Sequence, residues 1–263
     1  MKRFAVIGDP IEHSLSPILH TNIYNQLNIK AKYFLEKVSV DELNFFINNN
    51  NYDGINITIP HKETVSKIIK YIDKSAKIIG AINCLDDKKG YNTDWIGFLY
   101  SMKMNNIDLN NQNCLILGSG GVARAITYSL SNSNVRGIKI QGRNTNKVKL
   151  LQDWIDNIYP KNSIFKTPNI IINCTPLGMY PYIKNKPIKI NKFNKYTILV
   201  DTIYNPLKTK WLEEGNQMGL KTVGGLDMFI SQGISSVEKW FNKKIFNKLD
   251  VKSLRKILRK ELC

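Results

Sequence analysis

Cys114-Leu115-Ile116-Leu117-Gly118-Ser119-Gly120-Gly121-Val122-Ala123 is the stretch on which the reading of the fold turns. Four consecutive apolar residues with no polar alternation predict a strand covered on both faces, the habit of parallel sheets flanked by helices. The turn after it fits G-x-G-x-x-G/A, with Ala123 in the third small position. Gly118 permits the tight turn, Gly120 lets the backbone approach a pyrophosphate, and Ala123 keeps the following helix close to the strand. That helix offers free N–H groups at the positive end of its dipole. Strand, glycine turn and helix in this order are the context the motif requires, so Gly118, Ser119, Gly120, Gly121 and Val122 are candidates for holding a dinucleotide.

The next predicted strand, Ile138 to Gln141, decides which dinucleotide. An NAD site wants Asp or Glu at its end to bind the ribose 2′-hydroxyl. Here the chain reads Gln141-Gly142-Arg143-Asn144-Thr145-Asn146-Lys147, with no carboxylate. Arg143 offers a fork of donors suited to a 2′-phosphate, and Lys147 adds charge. NADP is favoured over NAD.

Further out, strand-like runs alternate with helical patterns along the whole chain, which predicts an α/β protein with largely parallel sheets. Toward the C-terminus come strands Ile170 to Asn173 and Ile198 to Asp201, then helices from Gly225 to Phe241 and Val251 to Glu261. Toward the N-terminus, Lys2 to Ile7 reads as a strand, followed by a helix to Leu27 with Ser16 as cap and Pro17 in its first turn. Tyr33 to Val38 is a strand, and Asp41 caps a helix ending at Asn48 to Asn51. Gly54 to Ile59 is a strand broken by Pro60, with a helix from Glu63 to Tyr71 and a longer one from Asp94 to Met104.

A length of 263 residues suits about two domains at roughly 150 residues each. No stretch reaches the roughly 18 apolar residues that span a bilayer. The start, Met1-Lys2-Arg3 before Phe4 to Ile7, carries too short an apolar run for a signal peptide. Cys84, Cys114, Cys174 and Cys263 form no Cys-x-x-Cys pair, which argues against a zinc ribbon and fits a reducing cytoplasm. The formal net charge of +17 is spread among many Asn and Ile rather than gathered in a block. It reads as a solvated surface whose positive field steers small anions, and neither a nucleic-acid nor a membrane partner is expected. His13, His20 and His61 lack metal-ligand spacing, so no metal is expected; His13 and His61 border the expected pocket.

Three polar constellations follow strands in the first half. Gly8-Asp9-Pro10-Ile11-Glu12-His13-Ser14-Leu15-Ser16-Pro17 presents two hydroxyls in alternation. Asn56-Ile57-Thr58-Ile59-Pro60-His61-Lys62 adds an amide, a hydroxyl and a lysine. Gly80-Ala81-Ile82-Asn83 and Tyr91-Asn92-Thr93-Asp94 supply further amides and a carboxylate. Singly, such residues cap helices and turns; together they suit a small polyhydroxylated carboxylate.

With these segments in hand, and with Asn173-Cys174-Thr175-Pro176-Leu177-Gly178-Met179, Asp201-Thr202-Ile203-Tyr204-Asn205-Pro206 and Gly225-Leu226-Asp227-Met228 leading to Gln232, the chain resembles the shikimate dehydrogenases. These are NADP-dependent enzymes of aromatic amino-acid and chorismate biosynthesis that interconvert 3-dehydroshikimate and shikimate. The resemblance runs from Gly8 to Gln232 in the family's order.

It implies that Ser14 and Ser16 hold the substrate carboxylate. Thr58, Asn83, Asp94 and Gln232 bond the ring hydroxyls with Tyr204 nearby. Lys62 is the catalytic acid/base, paired with Asp94. Thr202 and Gly225 lie at the nicotinamide end. It further implies a substrate domain of residues 1–103 with 236–263 around a Rossmann-like NADP domain of 104–235, as a monomer or homodimer. Two segments depart from the family pattern: Cys84 stands for the usual Thr, and Gly142-Arg143-Asn144, which keeps the Arg, for the usual Asn-Arg-Thr. An NAD-using quinate/shikimate dehydrogenase and a non-catalytic ligand-binding paralogue remain the alternatives. The missing acidic residue after Ile140 and the retained Lys62 and Asp94 lean against them.

Overall fold

The computed structural model describes residues 1–86, 89–159, 165, 167–190 and 193–262. The chain forms two compact units, Met1–Gly97 with Ile230–Glu261, and Phe98–Phe229 with the chain's end.

The first unit runs β1 (Lys2–Gly8), α1 (Ser16–Gln26), β2 (Ala31–Lys37), α2 (Leu43–Asn49), β3 (Gly54–Ile57), α3 (Lys62–Ile68), β4 (Tyr71–Ile72), α4 (Lys74–Ile79), β5 (Cys84–Asp86), β6 (Lys89–Tyr91) and the start of α5 (Asp94–Met104). Its sheet has the order β2-β1-β3-β5-β6-β4. β1 lies parallel to both β2 and β3, so the chain leaves β1 in one direction and returns on its other side. Both central strands are buried on both faces. Ile7, Ile55 and Ile57 join Val38, Leu43, Val65 and Ile82 in one core. On the opposite face Phe4 stacks on Trp240 with ring centroids 4.5 Å apart, and the Trp240 indole N–H donates to the Leu85 carbonyl at 2.7 Å. Truncating a buried ring of this kind costs about 3–5 kcal/mol, so Trp240 is a principal fastening of its helix to this sheet.

The second unit takes up β7 (Asn113–Leu117), α6 (Gly121–Ser131), β8 (Gly137–Gln141), α7 (Thr145–Ile158), β9 (Ile170–Asn173), β10 (Ile198–Asp201), α8 (Lys210–Gln217), β11 (Lys221–Val223) and the start of α9 (Leu226–Phe241). A short 3-10 turn (Phe246–Lys248) and α10 (Val251–Leu262) follow. The sheet order is β11-β10-β9-β7-β8, and every neighbouring pair is parallel. Alternate residues of β7 feed separate cores: Cys114 and Ile116 pack with Ala123, Ile126, Ile170 and Ile172, while Leu115 and Leu117 pack with Ile171, Leu199 and Trp211. That double burial is why the strand reads as an unbroken apolar run. No helix among the described residues is long and apolar enough to cross a membrane.

Several local expectations need correction. The first sheet is mixed, because β5 is antiparallel to both β3 and β6. Ser16 does not cap α1: Leu15 holds that position, without a side-chain bond. Asp41 does not cap α2; Ser39 and Glu42 exchange hydrogen bonds as a capping box one turn earlier. Tyr71, expected at a helix end, lies in β4. The division between units falls inside α5 and α9.

Candidate active site

The loops after β1 and β3 in the first unit, and after β7 and β9 in the second, sit at the carboxyl ends of strands where the strand order reverses, the place where open α/β sheets bind ligands. In the first unit that point lies between β1 and β3. The Thr58 amide donates to the Ile7 carbonyl at 2.9 Å, and the Asp9 amide to the Ile59 carbonyl at 3.1 Å. Gly8 makes the approach possible: a Cβ there would stand 2.5 Å from Thr58 Cγ2 and 2.9 Å from the Ile59 carbonyl oxygen. On the β1 loop the Ser14 hydroxyl donates to Ser16 Oγ at 3.1 Å. Ser16 is buried and Ser14 half-buried, and Ser14 Oγ also accepts from the Ser16 amide at 3.3 Å at the start of α1.

Lys62 begins α3 and Asp94 begins α5. The Lys62 ammonium donates to Asp94 Oδ2 at 2.7 Å, with side chains only 13% and 6% exposed. Asp94 escapes capping duty because Asn92 Oδ1 accepts from the Asp94 and Trp95 amides instead. Its second oxygen, Oδ1, accepts from the Asn83 amide at 2.8 Å. Asn83 Nδ2 also stands 3.4 Å from Gln232 Oε1. The Ile82 amide donates to the Lys62 carbonyl at 2.8 Å, tying the Asn83 loop to the start of α3.

Thus Lys62, Asp94, Asn83 and Gln232 form one hydrogen-bonded group, and Ser14, Ser16 and Thr58 belong to the same unit. Tyr204 lies in the second unit, stacked on Phe229 at 4.1 Å. His61 does not line a pocket: it is buried, and its ring lies 2.7 Å from the Val38 carbonyl, anchoring the turn before Lys62. Cys84 is also interior, its thiol pushed up to about 12 by burial.

In the second unit the reversal lies between β7 and β9. Gly118 (φ +115°) leaves β7 in the left-handed region, and a Cβ there would meet the Cys174 carbonyl oxygen at 3.0 Å. Its amide donates to the Gln141 carbonyl at 2.7 Å. Gly120 faces open space where a Cβ would lie, and α6 starts there with no side-chain cap and no acidic residue in its first turn. Ser119, Gly120, Gly121 and Val122 therefore present a cradle that fits a pyrophosphate. Arg143 and Lys147 are both exposed beyond β8. Asn144 caps α7 by accepting from the Lys147 amide at 3.0 Å.

Sequence reasoning missed what organises the remaining loops. Asp201 is 1% exposed and accepts from the Ile203 amide, the Thr209 hydroxyl and the Asn173 side chain at 3.0, 2.8 and 3.1 Å. Thr202 Oγ1 in turn donates to the Asn173 carbonyl at 2.9 Å, and the Gly225 amide to the Ile203 carbonyl at 3.0 Å. Burial raises the Asp201 carboxyl from 3.8 to about 6, against those three hydrogen bonds, which lower it. A raised folded value favours the neutral acid, so its stabilising contribution is complete below about pH 4 and is lost as pH rises through about 6. Asp201→Asn keeps an oxygen for Ile203 and Asn173 without the charge. Between pH 4 and pH 7 the wild type is expected to lose about 2–3 kcal/mol more stability than this variant in urea unfolding. Parallel pH slopes would contradict this.

A glycine-turn cradle on a parallel doubly wound sheet, with a buried ammonium–carboxylate pair on a second sheet, defines a nucleotide-dependent α/β oxidoreductase. Comparison with known proteins narrows the class. Residues 6–85 match the model of the shikimate dehydrogenase substrate binding domain. The chain is 38% identical over 258 residues to the shikimate dehydrogenase (NADP(+)) of Methanosphaera stadtmanae, covering 90% of each. Among solved structures, a shikimate dehydrogenase in complex with NADP+ matches with a TM-score of 0.91 at 30% identity, over 100% of this chain and 96% of that one. The Thermus thermophilus shikimate 5-dehydrogenase in complex with NADP(H) and shikimate gives 0.89 at 26% identity over 100% of both. The chain belongs to the shikimate dehydrogenase family.

Proposed function

We propose that this protein catalyses the reversible NADPH-dependent reduction of 3-dehydroshikimate to shikimate. The observation that carries the reading is the 2.7 Å contact between the Lys62 ammonium and Asp94 in a member of this family. The bound coenzyme supplies the hydride from its nicotinamide ring. Negative charge then builds on the ketone oxygen, and Lys62 donates a proton to that oxygen as it does so. A positioned acid of this kind contributes about 10²–10⁴ in rate, and the ammonium also stabilises the developing alkoxide electrostatically. In the oxidising direction the neutral amine takes the proton back. Asp94 orients the ammonium and accepts from the neighbouring ring hydroxyl.

Ser14 and Ser16 hold the substrate carboxylate, and Thr58, Asn83, Gln232 and Tyr204 serve the ring hydroxyls. The 3.4 Å Asn83–Gln232 contact is long for a hydrogen bond, so it yields readily to a substrate hydroxyl. The backbone from Gly118 to Val122 holds the pyrophosphate, Arg143 with Lys147 the 2′-phosphate, and Thr202 with Gly225 the nicotinamide end. The net charge of +17 draws the anionic substrate inward. Cys84, Cys114 and Cys174 are unpaired thiols, which suits a reducing compartment, and we assign the reaction to the cytoplasm.

The test is absorbance of the reduced nicotinamide with shikimate and either NADP+ or NAD+. Rapid reduction of NADP+ is expected, with a lower kcat/KM for NAD+. No reduction of either coenzyme would overturn the reading, and equal efficiency would overturn the coenzyme assignment.

A further inference from the structure

Behind the Lys62–Asp94 pair lie Tyr33, Asn56, Ser236 and Thr93, buried polar side chains that the mechanism above does not use and that lead to Asn83. The Tyr33 hydroxyl donates to Asn56 Oδ1 at 2.8 Å. Asn56 Nδ2 donates to Ser236 Oγ at 2.8 Å and to the Asn83 carbonyl at 3.1 Å. Ser236 Oγ is 3.2 Å from Thr93 Oγ1, and its proton also reaches the Gln232 carbonyl at 3.0 Å. Thr93 Oγ1 accepts from Asn83 Nδ2 at 3.0 Å, and the Thr93 amide donates to Asn83 Oδ1 at 2.6 Å. Asn83 Nδ2 then reaches Asp94 Oδ1 at 2.8 Å. Ser236 and Thr93 are 0% exposed, Asn83 2% and Asn56 6%.

We infer that Ser236, with Thr93 and Asn56, positions the catalytic pair through Asn83. The Asn83 amide has two hydrogens, and their directions decide where Asp94 Oδ1 sits. Oδ1 held by Asn83 leaves Oδ2 turned toward Lys62. Two independent supports fix the Asn83 loop: Thr93 grips its amide, and Asn56 grips its carbonyl. Ser236 joins these two supports, accepting from Asn56 and touching Thr93. A serine on the core face of a helix costs free energy unless its hydroxyl is bonded, and here that hydroxyl meets Asn56 and Thr93, both bonded to Asn83, the Gln232 carbonyl, and the Cys84 thiol. Ser236 touches no reacting atom; it acts through Asn83 and is a positioning residue.

This inference rests on the proposed dehydrogenase reading, and the experiment separates the two. In Ser236→Ala, kcat for shikimate oxidation is expected to fall about 10-fold with KM for shikimate within about twofold, because misplacing a catalytic group by a fraction of an ångström acts on the chemical step. Thr93→Val, the same shape without the hydroxyl, shows a similar loss, and Thr93→Ser, which restores the hydroxyl, recovers most of it. The Ser236→Ala/Thr93→Val double variant is no worse than the worse single, since both act on one chain of bonds. A full kcat with only a lowered thermal midpoint would overturn the inference, as would losses that multiply. If Ser236→Ala does not fold, the Thr93 pair decides in the same way. Independently of turnover, a crystal structure of the Ser236→Ala or Thr93→Val protein is expected to show the Asn83 amide turned and Asp94 displaced from Lys62. An unchanged Lys62–Asp94 contact there overturns the inference even if the wild type fails to turn over shikimate, which would overturn the functional reading alone.

Discussion

Lys62→Ala is expected to lower kcat for shikimate oxidation at least about 100-fold, or about 2.7 kcal/mol of transition-state stabilisation, while KM changes only modestly. Within the group formed by Lys62, Asp94, Asn83 and Gln232, Lys62 alone carries an ammonium that can give a proton to an alkoxide. The serine hydroxyls and remaining amides are left to hold the ground state, so binding survives and turnover does not. Removing one member of a buried ion pair also destabilises the fold, by about 3–5 kcal/mol when the partner is left uncompensated. Among the described residues, Asp94, 6% exposed at its side chain, would keep only Asn83 as a side-chain partner. Lys62→Gln separates the effects: its amide still donates to Asp94 but transfers no proton. The same loss of kcat with a recovered thermal midpoint is expected. Turnover near wild type in Lys62→Gln would remove Lys62 from the chemistry.

Arg143→Ala is expected to lower kcat/KM for NADPH about 10- to 100-fold, the worth of one charge-assisted hydrogen-bonding group at about 1.5–3 kcal/mol. Activity with NADH should hold steady. Arg143 is exposed, so its loss leaves the fold intact and the change is read directly as recognition. Lys147 retains part of the attraction, because it stands in the first turn of α7, whose Asn144 cap uses the Lys147 amide and not its ammonium. An equal fall with both coenzymes would mean that Arg143 acts on the shared part of the dinucleotide and not on the 2′-phosphate.

The second sheet was legible because each of its central strands is buried on both faces. Ile170 to Asn173 and Ile198 to Asp201 carry that signature in their residues alone, and the structure gives the same bounds. The first sheet was harder. β4, β5 and β6 are two or three residues long, too short for a period to show. Lys62 and Asp94 were recognisable as chemistry, but their meeting across 32 residues came only from the resemblance, since periodicity does not say which strand ends are neighbours. His61 looked like a pocket residue because a histidine beside a lysine reads as polar; its ring is spent on Val38. Ser236 was not singled out in the sequence: Ser231, Ser235 and Ser236 are all buried in α9, where the pattern indicated only a helix. Three small polar residues on a helix that also carries Trp240 mark a buried polar seam.

The first unit takes Ile230–Glu261 from the far side of the second in sequence, and Trp240, packed on Phe4, comes with it. During synthesis the β1–β3 sheet therefore emerges with the Trp240 seat on Phe4 and Gly54 bare, and it stays so while all of residues 98–229 are made. At about 5–20 residues per second that wait lasts on the order of ten seconds. A fragment stopping near residue 97 would lack both that lid and Ser236, so the ribosome must finish residues 98–229 before the first unit can close.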